Sequence, residues 1–513
     1  MTTSVPVPAL DRDLIGRLRA DVIASTWTVE NLQTLISEGA LSALMRDSRL
    51  PALVELAGVT DPAATLTRFF VLGQPERASA LDAALLTLGA CGLGSLGLAA
   101  TIDEAEAASA LVMPRAGGEP KREPKEECEE ASSPKAPNLP TMRDPDEDAP
   151  EPEVEADPWM RALFDLRPHA ASLPGGDHEW WVASDLGEVQ TGKPLADDHV
   201  LGIGGATLTL LEMTVREHVD SALDVGCGCG IQALYLATHA DRVVATDLSS
   251  RACALTQFNA ALNEAVIDVR EGSLFEPVEG ETFDLIVTNP PFVITPPSVR
   301  QAGLPLMEYR DAGGPILPAL VRGLEDHLNP DGVAVMLGNW EHREGTSWRT
   351  SVNQWIGKSL DAWIIQREVQ DPVEYAAMWL RDGGLTPERS GVAFENALAA
   401  WQEDFDSRQV SGVGMGYLVF HAPGSVGDAS AAPGAATAST PGAVEPWRVL
   451  EEVPTSGQGA LGEHVVQVIA AHEALRGLDD AQVAALKLRT ASGLSKEEAL
   501  TPTPVPTAPG ISQ

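Results

Sequence analysis

The chain has 513 residues, room for two or three domains at roughly 100–200 residues each, and its 44% apolar content supplies a packed core. A wholly disordered chain is excluded. With 35 basic against 74 acidic side chains the formal net charge is −39, so the molecule as a whole repels phosphate backbones and a tightly held nucleic acid is disfavoured.

The first residues, Met1 to Pro6, hold no basic segment followed by an apolar run, so no secretory signal is expected. Residues 11–25 place Leu14, Ile15, Leu18, Val22 and Ile23 near a 3.6-residue period, which predicts an amphipathic helix. Further helical pieces are expected at 29–45, 65–72, 78–88 and 93–100, followed by a strand over Ala110-Leu111-Val112-Met113. This order is compatible with a winged-helix-like unit, so residues 1–116 read as a helical N-terminal domain. Its last two helices lack Lys and Arg, which favours a structural, substrate-presenting or dimer-forming role over DNA binding. The uncharged run 83–102 matches a membrane span in length, but Gly89, Gly92, Gly94 and Gly97 mark it as two short soluble helices around a turn. No membrane partner is expected.

Residues 117–158 are rich in Pro, Glu and Asp and read as a disordered acidic linker, the alternative being a tail for a basic partner. From 159 onward strands alternate with helices. Residues 161–165 and 179–183 read as extended, and apolar strands are expected at 221–225, 242–246, 266–270, 283–288, 333–337, 362–368 and 416–421. The fold class is therefore α/β: a seven-strand, doubly wound, Rossmann-like sheet over 159–423, its last two strands forming an antiparallel edge. An Ala/Gly/Pro/Ser linker at 424–445, a small helical region at 446–500 and a disordered tail at 501–513 complete the expected organisation. The five cysteines, Cys91, Cys128, Cys227, Cys229 and Cys253, form no C-x-x-C pair. They support neither a disulfide framework nor a thiolate zinc site, and fit a reducing cytoplasmic compartment.

Chemistry concentrates in three places. In Asp224-Val225-Gly226-Cys227-Gly228-Cys229-Gly230 a strand runs through D-x-G-x-G-x-G into a helix, so backbone can approach a ligand closely. The spacing is not G-x-G-x-x-G, and an acid at the strand end repels a pyrophosphate but suits a cationic or amino-acid-bearing ligand. Asp247 closes the next strand, where a carboxylate can accept two ribose hydroxyls or cap the following helix. Thr288-Asn289-Pro290-Pro291-Phe292 closes the fourth strand. Its prolines stop the strand and leave the Asn carboxamide at the sheet's carboxyl edge. An amide or exocyclic amino nitrogen is a poor nucleophile. Acceptors on both of its N–H groups, the Asn289 side-chain oxygen and the Pro290 carbonyl, favour the pyramidal, developing-cationic nitrogen, while Phe292 stacks on the planar group.

Residues 224–292 resemble the class I S-adenosylmethionine-dependent methyltransferases, in the branch that carries N-P-P-[FY]. That branch includes release-factor glutamine methyltransferases and methyltransferases of the amino groups of adenine or guanine in DNA, rRNA and tRNA. The run Asn289-Pro290-Pro291-Phe292-Val293-Ile294-Thr295-Pro296-Pro297 is similar to the N-P-P-Y-V-V-T-P-P of eukaryotic and archaeal release-factor glutamine methyltransferases. The resemblance implies S-adenosyl-L-methionine as cofactor, with Asp224, Gly226, Gly228 and Gly230 at its methionine end, Asp247 on the ribose and Ser273-Leu274 at the adenine edge. It implies Asn289, Pro290 and Phe292 as the catalytic residues, with Asn289 also bordering the cofactor, and no metal. Ser273 stands where many relatives carry Asp, and Phe292 where glutamine-specific members carry Tyr. The resemblance covers 180–421, less than half of the chain.

Upstream, Gln190-Thr191-Gly192 and the Gly-rich run 198–207 occupy the place where relatives cover the cofactor, so this loop is expected at the methionine moiety unless it is only a turn. His199 has no ligand-spaced partner. Tyr309-Arg310-Asp311-Ala312-Gly313-Gly314 and the group Trp340, Glu341-His342-Arg343 fall near the expected cleft without a role that spacing fixes. The function expected first is methylation of a protein glutamine side chain, with a translation release factor as partner, favoured by V-I-T-P-P and the −39 charge. The alternatives are an exocyclic amine of rRNA, tRNA or DNA, and a non-catalytic S-adenosylmethionine-binding regulator. Intact Asn289, Pro290 and Phe292 argue against the last.

Overall fold

The computed structural model describes residues 6–46, 48–111, 157–193, 195–196, 198–296, 316–424, 445–454, 461–476 and 478–486. The expected linkers at 117–158 and 424–445, apart from their end residues, and the tail at 501–513 lie outside them. The chain divides into two compact units, Met1–Val466 and Gln467–Gln513. In the second unit a short helix, Asp480–Ala484, is opened by a capping box in which Asp479 and Gln482 each accept the other's backbone N–H.

The first unit begins with short helices at Arg12–Ala24, Val29–Leu35, Glu38–Leu44, Leu50–Glu55 and Pro62–Leu66, the last running into a π turn at Thr67–Val71. Strand β1 (Glu76–Arg77) leads to a bent pair of helices, Ala78–Ala84 and Gly89–Ser95, and then to β2 (Ala99–Ile102). No single helix among the described residues is long and apolar enough to cross a membrane. The strand expected at 110–113 is not found at its described residues. Asp103 accepts the Glu106 N–H at 2.8 Å and starts a helix, Glu104–Ala110, while Val112 and Met113 lie outside the described residues. Strand pairing falls instead to β2, which β3 (Trp159–Ala162) joins in a β1-β3-β2 antiparallel sheet. Residues 159–162 thus complete the N-terminal sheet rather than opening the larger one.

A long hairpin follows, β4 (Phe164–Leu173) with β5 (Gly176–Asp185). The main sheet is built from β6 (Val219–Val225), β7 (Ala240–Asp247), β8 (Asp268–Glu271), β9 (Phe283–Thr288), β10 (Leu328–Arg343), β11 (Asp361–Gln370), β12 (Val410–His421) and β13 (Arg448–Glu452), in the order β13-β11-β12-β10-β9-β6-β7-β8. Strands β6 to β10 are parallel, with interiors such as Leu285-Ile286-Val287 buried on both faces, as crossover helices on each side require. Strand β12 runs antiparallel between β10 and β11, as the sequence leads one to expect. The sheet has eight strands, not seven. β13 pairs in parallel with β11, from Ala362↔Arg448 to Gln366↔Glu452, in a stretch read from the sequence as helical.

The helix Ser250–Leu262 is buried on almost every side because it is clamped between the main sheet and the β4–β5 hairpin. Its Asn259 and Asn263 stand one turn apart and act as surrogate strand residues for the edge of β5. Asn263 accepts from Trp181 N–H at 2.9 Å and donates to Trp181 O at 2.8 Å; Asn259 does the same for Ala183, both at 2.8 Å. The β5 edge in turn carries the N-terminal helices: Trp181 Nε1 donates to Trp27 O at 2.8 Å, and Glu179 caps Val29 N–H at 2.8 Å. One apolar core therefore runs from Trp27, Phe69 and Phe70 through Trp180 and Trp181 to Leu255 and Phe258. Asn259→Ala leaves a buried N–H and carbonyl oxygens without partners, and is expected to lower unfolding stability by on the order of 3 kcal/mol. A urea midpoint unchanged from the parent would show the side-chain ladder to be dispensable.

Candidate functional site

Strand β6 lies between β7 and β9; the connection leaving β6 runs to β7 and the one leaving β9 runs to β10, in opposite directions, so a crevice opens at their carboxyl ends. There Gly226, Gly228 and Gly230 all adopt positive φ, +75°, +53° and +82°. A Cβ on Gly226 or Gly228 would point into open space, whereas one on Gly230 would meet the Thr256 side chain at 2.8 Å. The first two glycines thus leave room for a ligand, and the third lets the helix Ile231–Leu236 pack on its neighbour. Thr246 O holds the turn by accepting from Gly226 N at 2.7 Å and Cys227 N at 3.0 Å. Cys227 and Cys229 are buried, and desolvation pushes both thiols up, so neither is poised as a nucleophile.

Two acids face this turn. Asp224 is 1% exposed; its Oδ2 accepts from Ala233 N at 3.1 Å, while its Oδ1 has no partner among the described residues. Burial, with Asp247 nearby, pushes its pKa up to about 7. Asp247 accepts from Gly228 N and from Ser249 N, both at 2.9 Å, so it braces the glycine turn and caps its own helix at once. Burial raises its pKa too. Its two oxygens retain lone pairs for further donors. Gly272 N donates to Asp247 O at 2.9 Å, and Thr246 Oγ1 to Leu274 O at 3.4 Å, which sets half-buried Ser273 and Leu274 beside the same strand end.

On the other side of β6, Val225 pairs with Thr288 of β9, and Thr288 Oγ1 donates to Val225 O at 2.7 Å. Asn289 is therefore fixed next to Gly226. Its Oδ1 is buried and has no partner among the described residues. Pro290 is buried, and Phe292 packs edge-on against Trp379, with ring centroids 6.0 Å apart at 67°. The sequence-predicted residues Asp224, Gly226, Gly228, Gly230, Asp247, Ser273, Leu274, Asn289, Pro290 and Phe292 thus all gather at one end of four adjacent strands, β9, β6, β7 and β8.

The remaining candidates divide. Asp185, paired with Arg251, accepts from Val200 N at 2.8 Å, and Gln232 Nε2 donates to Thr207 O at 3.1 Å. Those bonds hold the 198–207 run between the end of β5 and the glycine-turn helix. Gln190, in contrast, reaches Asp165 at 2.6 Å and Val71 O at 3.0 Å and braces the N-terminal helices. His199 is buried, which lowers its pKa and keeps it neutral. Trp340 and His342 both meet Gln366 Oε1, at 2.8 and 2.6 Å. Glu341 is tied up by Arg343 and Arg408. Tyr309 to Gly314 lie outside the described residues. Sequence reading missed Asn339 and Tyr375, which stand behind the N-P-P-F turn, and Trp379; only the position of Asn339 near the end of a strand was a signal for any of them.

Comparison with known proteins agrees with this geometry. Residues 202–303 match the family model of the methyltransferase small domain, and residues 24–110 match a domain of unknown function, DUF7059. The release factor glutamine methyltransferase of Geobacter sulfurreducens is 36% identical over 138 residues, which are 25% of this chain and 48% of that protein. The ribosomal RNA small subunit methyltransferase C of Klebsiella pneumoniae is 34% identical, over 25% of this chain and 34% of that protein. The tRNA1(Val) (adenine(37)-N6)-methyltransferase of Parabacteroides distasonis is 35% identical, over 29% and 64%. The chain spans about half the length of the curated relatives it matches, 48% and 56% for two of the glutamine methyltransferases. Among solved structures, the T. thermophilus 16S rRNA N2 G1207 methyltransferase in complex with AdoMet and guanosine matches at 20% identity and a TM-score of 0.26, over 40% of this chain and 52% of that one.

The raised pKa of Asp224 has a consequence for stability. Its carboxyl holds a proton in the fold up to about pH 7, but loses it near pH 4 when unfolded. Stability contributed by the neutral form is thus full at low pH and lost as pH rises from about 4 to 7. The parent protein should lose more denaturant resistance between pH 5 and pH 8 than Asp224→Asn does; parallel losses would show that Asp224 is ionised throughout.

Proposed function

We propose that this chain, which carries a methyltransferase small domain at residues 202–303, is an S-adenosylmethionine-dependent N-methyltransferase whose acceptor is a glutamine side chain of a protein, a translation release factor in the first instance. The residues present fit the cofactor. Asp224 Oδ1, an acceptor without a partner among the described residues, suits its cationic amino-acid end, and the open space over Gly226 and Gly228 suits close backbone approach. Asp247 would take the ribose hydroxyls. Ser273 and Leu274 would border the adenine, whose face would meet Leu248, 71% exposed directly after Asp247. When bound, S-adenosylmethionine would supply an electrophilic methyl group, its S–C bond breaking as the N–C bond forms and the neutral thioether leaving.

The observation that carries the reading is the buried Oδ1 of Asn289 beside that turn, without a partner among the described residues. An acceptor at a site that excludes water is costly until a donor meets it. An amide NH₂ supplies two donors, one for Asn289 Oδ1 and one for the Pro290 carbonyl. Holding both draws the nitrogen lone pair out of conjugation and aims it, so alignment and acceptor dipoles supply the rate and no strong base is needed. Phe292 limits the plane in which the amide lies. The nitrogen gives up one proton to solvent once the new N–C bond has formed.

Charge supports a protein acceptor over a nucleic acid. The net charge is −39, and Arg343, Arg389 and Arg408 each meet a carboxylate instead of forming a free basic stripe. The test is transfer of labelled methyl into cell extract, split between nuclease and protease treatment. Label that survives nuclease and vanishes with protease supports the glutamine reading, and the reverse moves the acceptor to an exocyclic amine of a nucleobase. Asn289→Ala should lose methylation by about a hundredfold or more and keep its affinity for S-adenosylmethionine in calorimetry. Unchanged turnover would remove Asn289 from the mechanism.

A further inference from the structure

The oxygen of Asn289 has no partner among the described residues, and the β9 pairing that places Asn289 ends at Thr288, so other contacts must set where the rest of the acceptor turn sits. Two contacts do so, and both come from the helix Pro372–Asp382 between β11 and β12. Phe292 packs on Trp379, and Ile294 N–H donates to the Tyr375 hydroxyl at 3.1 Å. The same hydroxyl accepts from Asn339 Nδ2 at 2.9 Å. Asn339 lies on β10, three residues beyond Met336, which pairs with Thr288, the residue just before the turn. Tyr375 is 0% exposed and Asn339 7%. The Tyr375 ring is enclosed by Trp379, Trp401 and Phe405 at centroid distances of 6.1, 5.9 and 6.3 Å, so the hydroxyl has little freedom to drift.

Resting on the N-methyltransferase reading above, we infer that Tyr375 is a positioning residue for methyl transfer. Its hydroxyl locks the backbone just after N-P-P-F to the end of β10 and so fixes Asn289, Pro290 and Phe292 around the acceptor nitrogen. Loss of a single oxygen leaves the ring to fill its pocket and does not touch the glycine turn or Asp247, which belong to β6 and β7. Its effect should therefore appear in the chemical step and not in cofactor binding.

The test measures Tyr375→Phe in the full chain beside the parent and Asn289→Ala. The acceptor is recombinant release factor, or stripped rRNA should the nuclease-sensitive half of the extract carry the label. Misplacement of reacting groups by a fraction of an ångström predicts a kcat reduced about tenfold or more. The Kd for S-adenosylmethionine, the KM for the acceptor and the thermal midpoint should stay close to the parent's. A Tyr375→Phe kcat close to the parent's, with Asn289→Ala inactive, overturns the positioning role and leaves the parent reading standing. Parent-like turnover by Asn289→Ala overturns both. Should Tyr375→Phe not fold, Asn339→Ala, which keeps the tyrosine but removes its tie to β10, must show the same split between kcat and Kd, and equal kcat to the parent overturns the inference.

Discussion

The structure turns on a helix that behaves as a strand. Along Ser250–Leu262, asparagines one turn apart present amide groups at the spacing of alternate residues on β5, and they satisfy the backbone of Trp181 and Ala183 as a neighbouring strand would. An edge that needs pairing is closed without another strand, and this lets a bulky helical module be fused to the face of a doubly wound sheet. Asn259 also donates to Cys229 O at 2.8 Å, inside the glycine turn. The same amide thus belongs to the attachment of the N-terminal module and to the floor of the crevice. With 0% exposure it has no water to fall back on, so the geometry of the turn and the docking of β5 are set together.

Electrostatics at the crevice follow a matching logic. Asp224 is buried and Asp247 half-buried, and both are held by backbone N–H donors and by no cation among the described residues. Two carboxylates in that setting disfavour ionisation of each other. The fold bears this cost in advance, and a positively charged ligand relieves it on arrival. An anionic group placed there would add to it, which separates this crevice from pyrophosphate-binding relatives of the doubly wound class.

What the sequence revealed was what is encoded locally. β6, the D-x-G-x-G-x-G turn, the acid that ends β7 and N-P-P-F each lie on or within a few residues of their own strand, and the parallel sheet brings strand ends together by necessity. Elements that depend on distant partners stayed hidden. Arg448–Glu452 is a short run with few apolar residues after a long Ala/Gly/Pro stretch, and only its pairing with Ala362–Gln366 makes it a strand. Trp159–Ala162 looked like the start of the larger domain because its partners, Ala99–Ile102, lie on the far side of the acidic segment. Tyr375 sits in an amphipathic helix with ordinary spacing; its role as the anchor of Ile294 comes from a contact across the sheet edge that no periodicity announces.

The late arrival of β13 also shapes how the chain comes to be made. A ribosome delivers β10, β11 and β12 before Arg448–Glu452, so the outer edge of β11, rich in Trp363, Ile364 and Ile365, stands unpaired through that interval of synthesis. An apolar strand with open N–H and C=O groups is a template for pairing with other chains. Capture by β13, with Glu451 and Glu452 hydrogen-bonded to the Trp363 and Trp348 indoles at 2.7 and 3.1 Å, closes that template with a strand that ends in carboxylates. The last stretch of the first unit thus serves as a finishing cover, and the window for misassembly is set by the time taken to translate from β12 to β13.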